Sequence, residues 1–373
     1  MRFPNFCTPW KIIPISNLLQ FQNGINGSPE QYGKGVKFIS VGDILNNIYI
    51  TYDNIKGLID IDEKTLNNYS VTYGDILFQR SSEIKNDIGR TNVYLDKNNI
   101  ATFGGFVIRG KKIGQYDPVF FNYLLKAPSS RKSIIRLGAG AQHYNIGQEN
   151  IKTLNFYFPN EKEQAKIAYL FSKIDERIQT QIKIIKDLKM QRNHLIHSVF
   201  SSMNSKLLLI TDIAEVYQPQ TISSEKFDEG AEFPVFGANG IIGHYEKYNH
   251  ENEQICIACR GSSVGTINLS KKKSWITGNS MVINSDNYVD MIDKKFLYYQ
   301  LMFIDFYKYI SGSGQPQITR ESLKNLKIKV PSLAIQHSIS NFLNHIDLKI
   351  TIETELLCQY QLQKSYLLKN MFI

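Results

Sequence analysis

The run from Asn160 to Phe200, "NEKEQAKIAYLFSKIDERIQTQIKIIKDLKMQRNHLIHSVF", contains neither proline nor glycine. Within it Ile167, Ile174, Ile178, Ile185, Leu188 and Leu195 recur at steps of three and four or their sums, passing over the polar positions Gln181 and Arg192. That spacing is the stripe of an amphipathic helix, not the alternation of a strand. At 1.5 Å per residue it predicts a rod about 60 Å long. Pro159 suits the entrance and the Asn160 side chain suits the cap.

The pattern returns from Ser332 to Phe372, "SLAIQHSISNFLNHIDLKITIETELLCQYQLQKSYLLKNMF". A single offset carries one run onto the other without a gap. It takes Ile167 to Ile339, Ile174 to Ile346, Ile178 to Ile350, Ile185 to Leu357, Leu188 to Tyr360, Leu195 to Leu367 and Phe200 to Phe372. The polar positions follow: Asp175 maps to Asp347, Gln181 to Glu353 and Arg192 to Lys364. Each run is preceded by a Gly-rich junction, "GAGAQHYNIGQENIKTLNFYFP" from Gly138 and "GSGQPQITRESLKNLKIKVP" from Gly312. Aligned on these glycines, the first junction is two residues longer. A whole unit, globular segment followed by long helix, is therefore repeated. The two stripes are too long for a small globular segment to cover, so antiparallel pairing of the helices is expected. Phe171, Tyr169, Met190 and Phe200 look like additional apolar area on the first helix.

Outside the helices the chain reads as short β-rich pieces broken by Gly, Asn and Pro, such as "VKFIS", "DILFQ" and "TFGGFVIRG" in the first half and "EQICIACRG" and "NSMVINS" in the second. The expected class is α+β: two mixed α/β domains separated by two long antiparallel coiled-coil helices in a pseudo-twofold internal repeat. The boundaries are 1–158 for the first domain, 159–203 for the central helix, 204–330 for the second domain and 331–373 for the last helix. The early parts of the halves agree only coarsely; "DILFQRSS" set beside "QICIACRGSS" places Arg80 opposite Arg260.

The 373 residues are 42% hydrophobic and 21% charged, with a formal net charge of +9. Such a chain folds and favours an anionic partner. No apolar run reaches the roughly 20 residues of a membrane span, and "MRFPNFCTPWKIIPI" lacks the apolar core of a signal peptide, so a cytoplasmic location is expected. The C-x-x-C of Cys256 and Cys259 lies in a strand-like run without a second ligand pair, which makes it structural. No phosphate loop, zinc-protease motif, dinucleotide fingerprint or amino-methyltransferase motif is present.

Basic and polar loops recur in both halves. Arg80, Ser81, Lys85 and Arg90 fall in "QRSSEIKNDIGR", and Arg131, Lys132 and Arg136 in "SSRKSIIR". Arg260, Ser262 and Ser263 fall in "CRGSSVG", with Lys271, Lys272, Lys273 and Asn279 in "LSKKKSWITGNS". Gln142, Gln315, Gln317 and Arg320 stand at the junctions. Lys and Arg neutralise phosphates, and Arg, Asn, Gln and Ser also read base edges, so these form the candidate DNA surface. Individually each also fits a solvated surface group, and the junction residues fit a domain-locking loop.

Together the passages "GSGQPQITRESLKNLKIKVPSLAIQHSISNFLNHID", "FPVFGANGIIGHYEKYNHENEQICIACRGSSVGTI" and "IKTLNFYFPNEKEQAKIAYLFSKIDERI" resemble the DNA-specificity subunits of type I restriction-modification systems. The resemblance implies two target-recognition domains, each reading half of a bipartite double-stranded DNA target, with the paired helices as the ruler for the gap. It implies two methyltransferase subunits, which carry S-adenosylmethionine and methylate adenine, and restriction subunits, which use ATP and Mg2+. It implies no catalysis and no cofactor on this chain. A non-catalytic scaffold binding partners through its helices, a DNA-binding regulator, and a lone nuclease or methyltransferase are the rival readings.

Overall fold

The computed structural model describes residues 1–311 and 316–372. Gly312, Gly314 and Gln315 of the second junction lie outside them. By its internal contacts the chain divides into two units, Met1–Ile182 with Leu356–Ile373, and Lys183–Glu355.

In the first unit the strands β1 (Leu19–Asn23), β2 (Ile76–Gln79), β3 (Thr91–Val93) and β4 (Val107–Lys112) form an antiparallel sheet in the order β1-β4-β2-β3. Its central strand β2 is buried from end to end. Ile76 and Phe78 join the main core with Phe120, Phe121 and Phe171, while Leu77 turns to a second cluster with Ile39, Val71 and Phe103. A strand covered on both faces needs this unbroken apolar run, which hides its alternation from view. A smaller sheet pairs Tyr32–Ile39 antiparallel with Gly57–Ile59 and parallel with Thr102–Phe103. Helices α1 (Pro118–Lys126) and α2 (Pro128–Arg136) follow. A ribbon of Lys11–Pro14 with Asn155–Phe158 then leads into α3 (Glu161–Ser202). The Asn160 side chain accepts from Glu163 N–H at 2.9 Å, the expected cap.

The second unit repeats this plan strand for strand. Here β5 (Glu215–Tyr217), β6 (Ile255–Ala258), β7 (Ile267–Leu269) and β8 (Ser280–Asn284) take the order β5-β8-β6-β7. The small sheet again has one antiparallel and one parallel partner, Phe233–Gly237 with Gly240–Tyr245 and with Trp275–Ile276. Helix α4 (Lys294–Phe303) and the ribbon of Lys206–Leu209 with Lys327–Val330 precede α5 (Leu333–Met371). One clamp is copied as well. Asp117 N–H donates to Gln164 Oε1 at 3.0 Å and Asp293 N–H to Gln336 Oε1 at 2.8 Å, and each glutamine donates back to the carbonyl of Pro159 or Pro331. The coarse agreement of the early sequences thus conceals one shared topology.

Within each unit the long helices run antiparallel. In the first, Phe171 stacks on Phe372, Asp175 pairs with Lys364 and Arg177 lies over Tyr360. In the second, Arg192 pairs with Asp347 while Ile196 and Phe200 share a core with Leu343. None of the twelve stripe residues is exposed: Ile167, Ile178, Ile185 and Ile350 are buried and the others half-buried. The additional apolar area splits in two. Phe171 and Phe200 are fully buried core residues, whereas Tyr169 and Met190 are about two-thirds exposed, at 67% and 65%.

Cys256 packs in the cluster with Phe236 and Val282, and Cys259 in the cluster with Ile257 and Phe296. Both thiols are free and buried, and burial pushes the Cys256 thiol up to about 12. No cluster of metal-ligating side chains occurs among the described residues. No described helix is long and apolar enough to cross a membrane.

Candidate nucleic-acid interface

Strand β2 ends where the first junction returns to it. Ser81 pairs with Asn145, Ser82 with Tyr144, and Ile146 N–H donates to Arg80 O at 3.0 Å. The junction folds on itself through Ala139 and Asn145, and Gly140 holds φ at +130° with no room for a Cβ against His143 O. In the second unit Arg260 pairs with Gln317, Ile318 N–H donates to Cys259 O, and the junction closes through Ser311 and Gln317. The closing residues are equally far apart in both, so the junctions match in length. Alignment on glycines produced the apparent two-residue excess.

These hydrogen bonds also correct the pairing of Arg80 with Arg260. Arg80 N–H donates to Phe106 O, and the equivalent bond in the second unit runs from Cys259 N–H to Asn279 O. Arg80 therefore corresponds to Cys259, Ser81 to Arg260, Gln79 to Ala258 and Phe106 to Asn279. A slip of one residue on a strand moves a side chain to the opposite face.

In the first unit the other candidates lie on the loop after Ser82, on α2 and on the junction. Lys85 and Arg90 are exposed on the loop after Ser82, and Arg90 donates to Asp87. Arg131 on α2 ties that loop down, donating to the carbonyls of Asn86, Ile88 and Gly89. Burial, then the like charge of Arg90, pushes its guanidinium down to about 10. Lys132, Arg136 and Gln142 are exposed nearby on α2 and the junction.

Two residues that the sequence does not single out line a concavity with Ser81. Gln79 is only 5% exposed; its Nε2 donates to Ser81 O at 2.9 Å while its Oε1 has no partner among the described atoms. Phe106, at 67%, stands out into solvent, as does Ile84 beside it, at 61%. With Leu45, Ser81, Asp87 and His143 they line a concavity of about 490 Å³. An unsatisfied buried carbonyl is the available signal, and it exists only in three dimensions.

In the second unit Arg260, Gln317 and Arg320 are exposed around a concavity of about 410 Å³ shared with Tyr217 and Gln218. Ser262 and Ser263 follow Arg260, and the Asn279 carbonyl accepts from the N–H of Cys259, the residue before it. Lys271, Lys272 and Lys273 are elsewhere. Strand β7 runs antiparallel to β6, and Ser270 N–H donates to Gln254 O, so the lysines stand at the far end of the sheet. At about 3.3 Å per residue that is roughly 20 Å from Arg260. The structure does not bring the two groups together.

Comparison with known proteins agrees with this architecture. A family model described as the type I restriction modification DNA specificity domain matches residues 8–190 and again 205–359. A putative type I restriction enzyme specificity subunit of Methanocaldococcus jannaschii is 24% identical across 92% of this chain and 88% of its own. A putative type I specificity subunit of Mycoplasma genitalium is 25% identical over 69% of this chain and 71% of its own. The crystal structure of a type I system S subunit from M. genitalium shares the fold, with a TM-score of 0.64 at 21% identity over 100% of this chain and 97% of that one. With both repeats matched nearly end to end, the chain belongs to the DNA-specificity subunits of type I restriction-modification systems, the component that recognises target DNA for its methyltransferase and restriction partners.

Proposed function

We propose that each unit reads one half of a bipartite duplex target and that the paired long helices set the gap between the halves. Two methyltransferase subunits dock on the chain to methylate adenine, and restriction subunits join the full complex. The observation that carries this reading is the contrast at equivalent positions of one scaffold. Gln79, Ser81 and Phe106 in the first unit correspond to Ala258, Arg260 and Asn279 in the second. Two copies of one frame with unlike side chains at the same strand end suit two unlike half-sites. Arg pairs bidentately with guanine, Gln pairs with adenine, and an apolar side chain meets the thymine methyl.

Co-expression with the methyltransferase subunit of the same system, followed by mapping of methylated adenines, tests it. A split motif with a fixed gap is expected; a contiguous motif would refute the two-reader reading. Gln79→Ala, which installs the residue of the second unit, should relax one base position of one half-site by about 1 to 3 kcal/mol. The other half-site should stay unchanged. Competition binding with single-base variants measures this, and equal weakening on every variant would make Gln79 a packing residue.

A further inference from the structure

Sharing Leu45 with the first unit's concavity is a second cavity, of about 400 Å³, that the base-reading account leaves unused. Arg90, Lys126, Arg131, Thr91 and Asn47 line it. Thr91 is 4% exposed and its Oγ1 has no partner among the described atoms. Lys126 Nζ has a single hydrogen bond, at 3.3 Å, to the carbonyl of Ile48. Arg131 is held by carbonyls alone. The nearby carboxylates each pair with another cation, Asp87 with Arg90 of the same lining and Asp175 with Lys364, and reach Arg131 and Lys126 only through space. Lys126 and Arg131 therefore bring two positive charges to a partly dry space without a carboxylate of their own. Burial, then the like charge of Lys364, pushes the Lys126 ammonium down to about 8. Charge that burial outweighs in this way is costly, and an arriving anion would lower the cost.

The fold does not require this arrangement. Helix α4 repeats α1 from its Asp293 cap onward, so Met302 stands where the first unit has Lys126. Strand β7 repeats β3, so Ile267 stands where it has Thr91. The second unit fills the same place with apolar side chains. We propose that the first-unit cavity is a phosphate-group site, in which Lys126 and Arg131 supply the charge and Thr91 Oγ1 supplies a hydrogen bond. The phosphate comes from the backbone of the duplex or as a free oxyanion. The duplex source rests on the DNA reading proposed above; the free source does not.

The test compares the full chain with Lys126→Met and Thr91→Val, the first of which copies the second unit's Met302. Inorganic phosphate is titrated at constant ionic strength against chloride while thermal unfolding is followed. For the wild type a rise in Tm of roughly 3 to 5 °C is expected at phosphate tenfold above its Kd, and each variant should lose it. In the second arm the methyltransferase complex binds duplex DNA over a range of salt. A duplex phosphate in the site predicts that Lys126→Met lowers the slope of log K against log salt by about 0.9, for every sequence alike. A phosphate-dependent Tm shift with an unchanged slope assigns the site to a free oxyanion. Loss of specific DNA binding by the wild-type complex would refute the half-site reading and leave the phosphate arm to decide this one. No Tm shift in the wild type together with an unchanged slope overturns the proposal.

Discussion

Asp175→Ala is expected to destabilise the first unit by about 3 kcal/mol, lowering its unfolding temperature by roughly 6 to 12 °C. Asp175 is held on two sides. Tyr123 donates its hydroxyl to Oδ2 at 2.6 Å and Lys364 donates to Oδ1 at 2.6 Å. The carboxylate side chain is 6% exposed and the lysine 25%. Removing the carboxylate leaves a half-buried ammonium without its counter-charge and a buried phenol short of an acceptor, so the loss exceeds that of an exposed ion pair. Asp347 repeats the arrangement, accepting from Tyr299 and from Arg192 at 2.7 Å each. Asp347→Ala should act on the second unit alone. The two tryptophans separate the effects, because Trp10 packs against Phe120 and Phe372 in the first unit while Trp275 lies against Tyr245 in the second. With Trp275→Phe as background, fluorescence unfolding reads the first unit, and a change below about 1 kcal/mol would show that the triad is incidental. Asp175→Ala with Lys364→Met should recover part of the loss by removing the stranded charge.

These triads mark the limit of what the sequence discloses. Helical periodicity is local, so the stripes, the Asn160 cap and the repeat of the long helices were legible. The offset that aligns Arg192 with Lys364 and Asp175 with Asp347 says which residues are equivalent. It does not say that Arg192 meets Asp347 and Lys364 meets Asp175, since contacts in an antiparallel pair cross between equivalent positions. Strand register was less accessible still. The letters Arg-Ser-Ser and Arg-Gly-Ser-Ser invite an alignment of Arg80 with Arg260, whereas the bonds to Phe106 and Asn279, remote in sequence, set the true register one residue away. The triple lysine at 271–273 looked like part of the same surface because charge can be counted along a chain while the end of a sheet cannot. Gln79 was invisible for the converse reason: it ends the apolar run "DILFQ", and only the packed structure shows an acceptor left over.

Lengthening both long helices together should change the target's gap and leave its half-sites alone. Helix α3 gives its first part to one unit and the remainder to the other, and α5 does the same in reverse order. One heptad inserted between Ile182 and Lys183, with another between Glu355 and Leu356, leaves Asp175 with Lys364 and Arg192 with Asp347, because each pair belongs to a single unit. A heptad also preserves the stripe, which a shorter insertion would rotate out of the seam. At 1.5 Å per residue the gain is about 10 Å, or roughly three base pairs at 3.4 Å each. Methylation mapping of the variant should return the same two half-sites separated by about three more base pairs. Inserting the heptad in α3 alone puts the stripes out of step beyond it, and methylation should fall sharply at every site. If the double insertion left the gap unchanged, the helices would hold the chain together without measuring anything, and the gap would have to be set by the methyltransferase subunits.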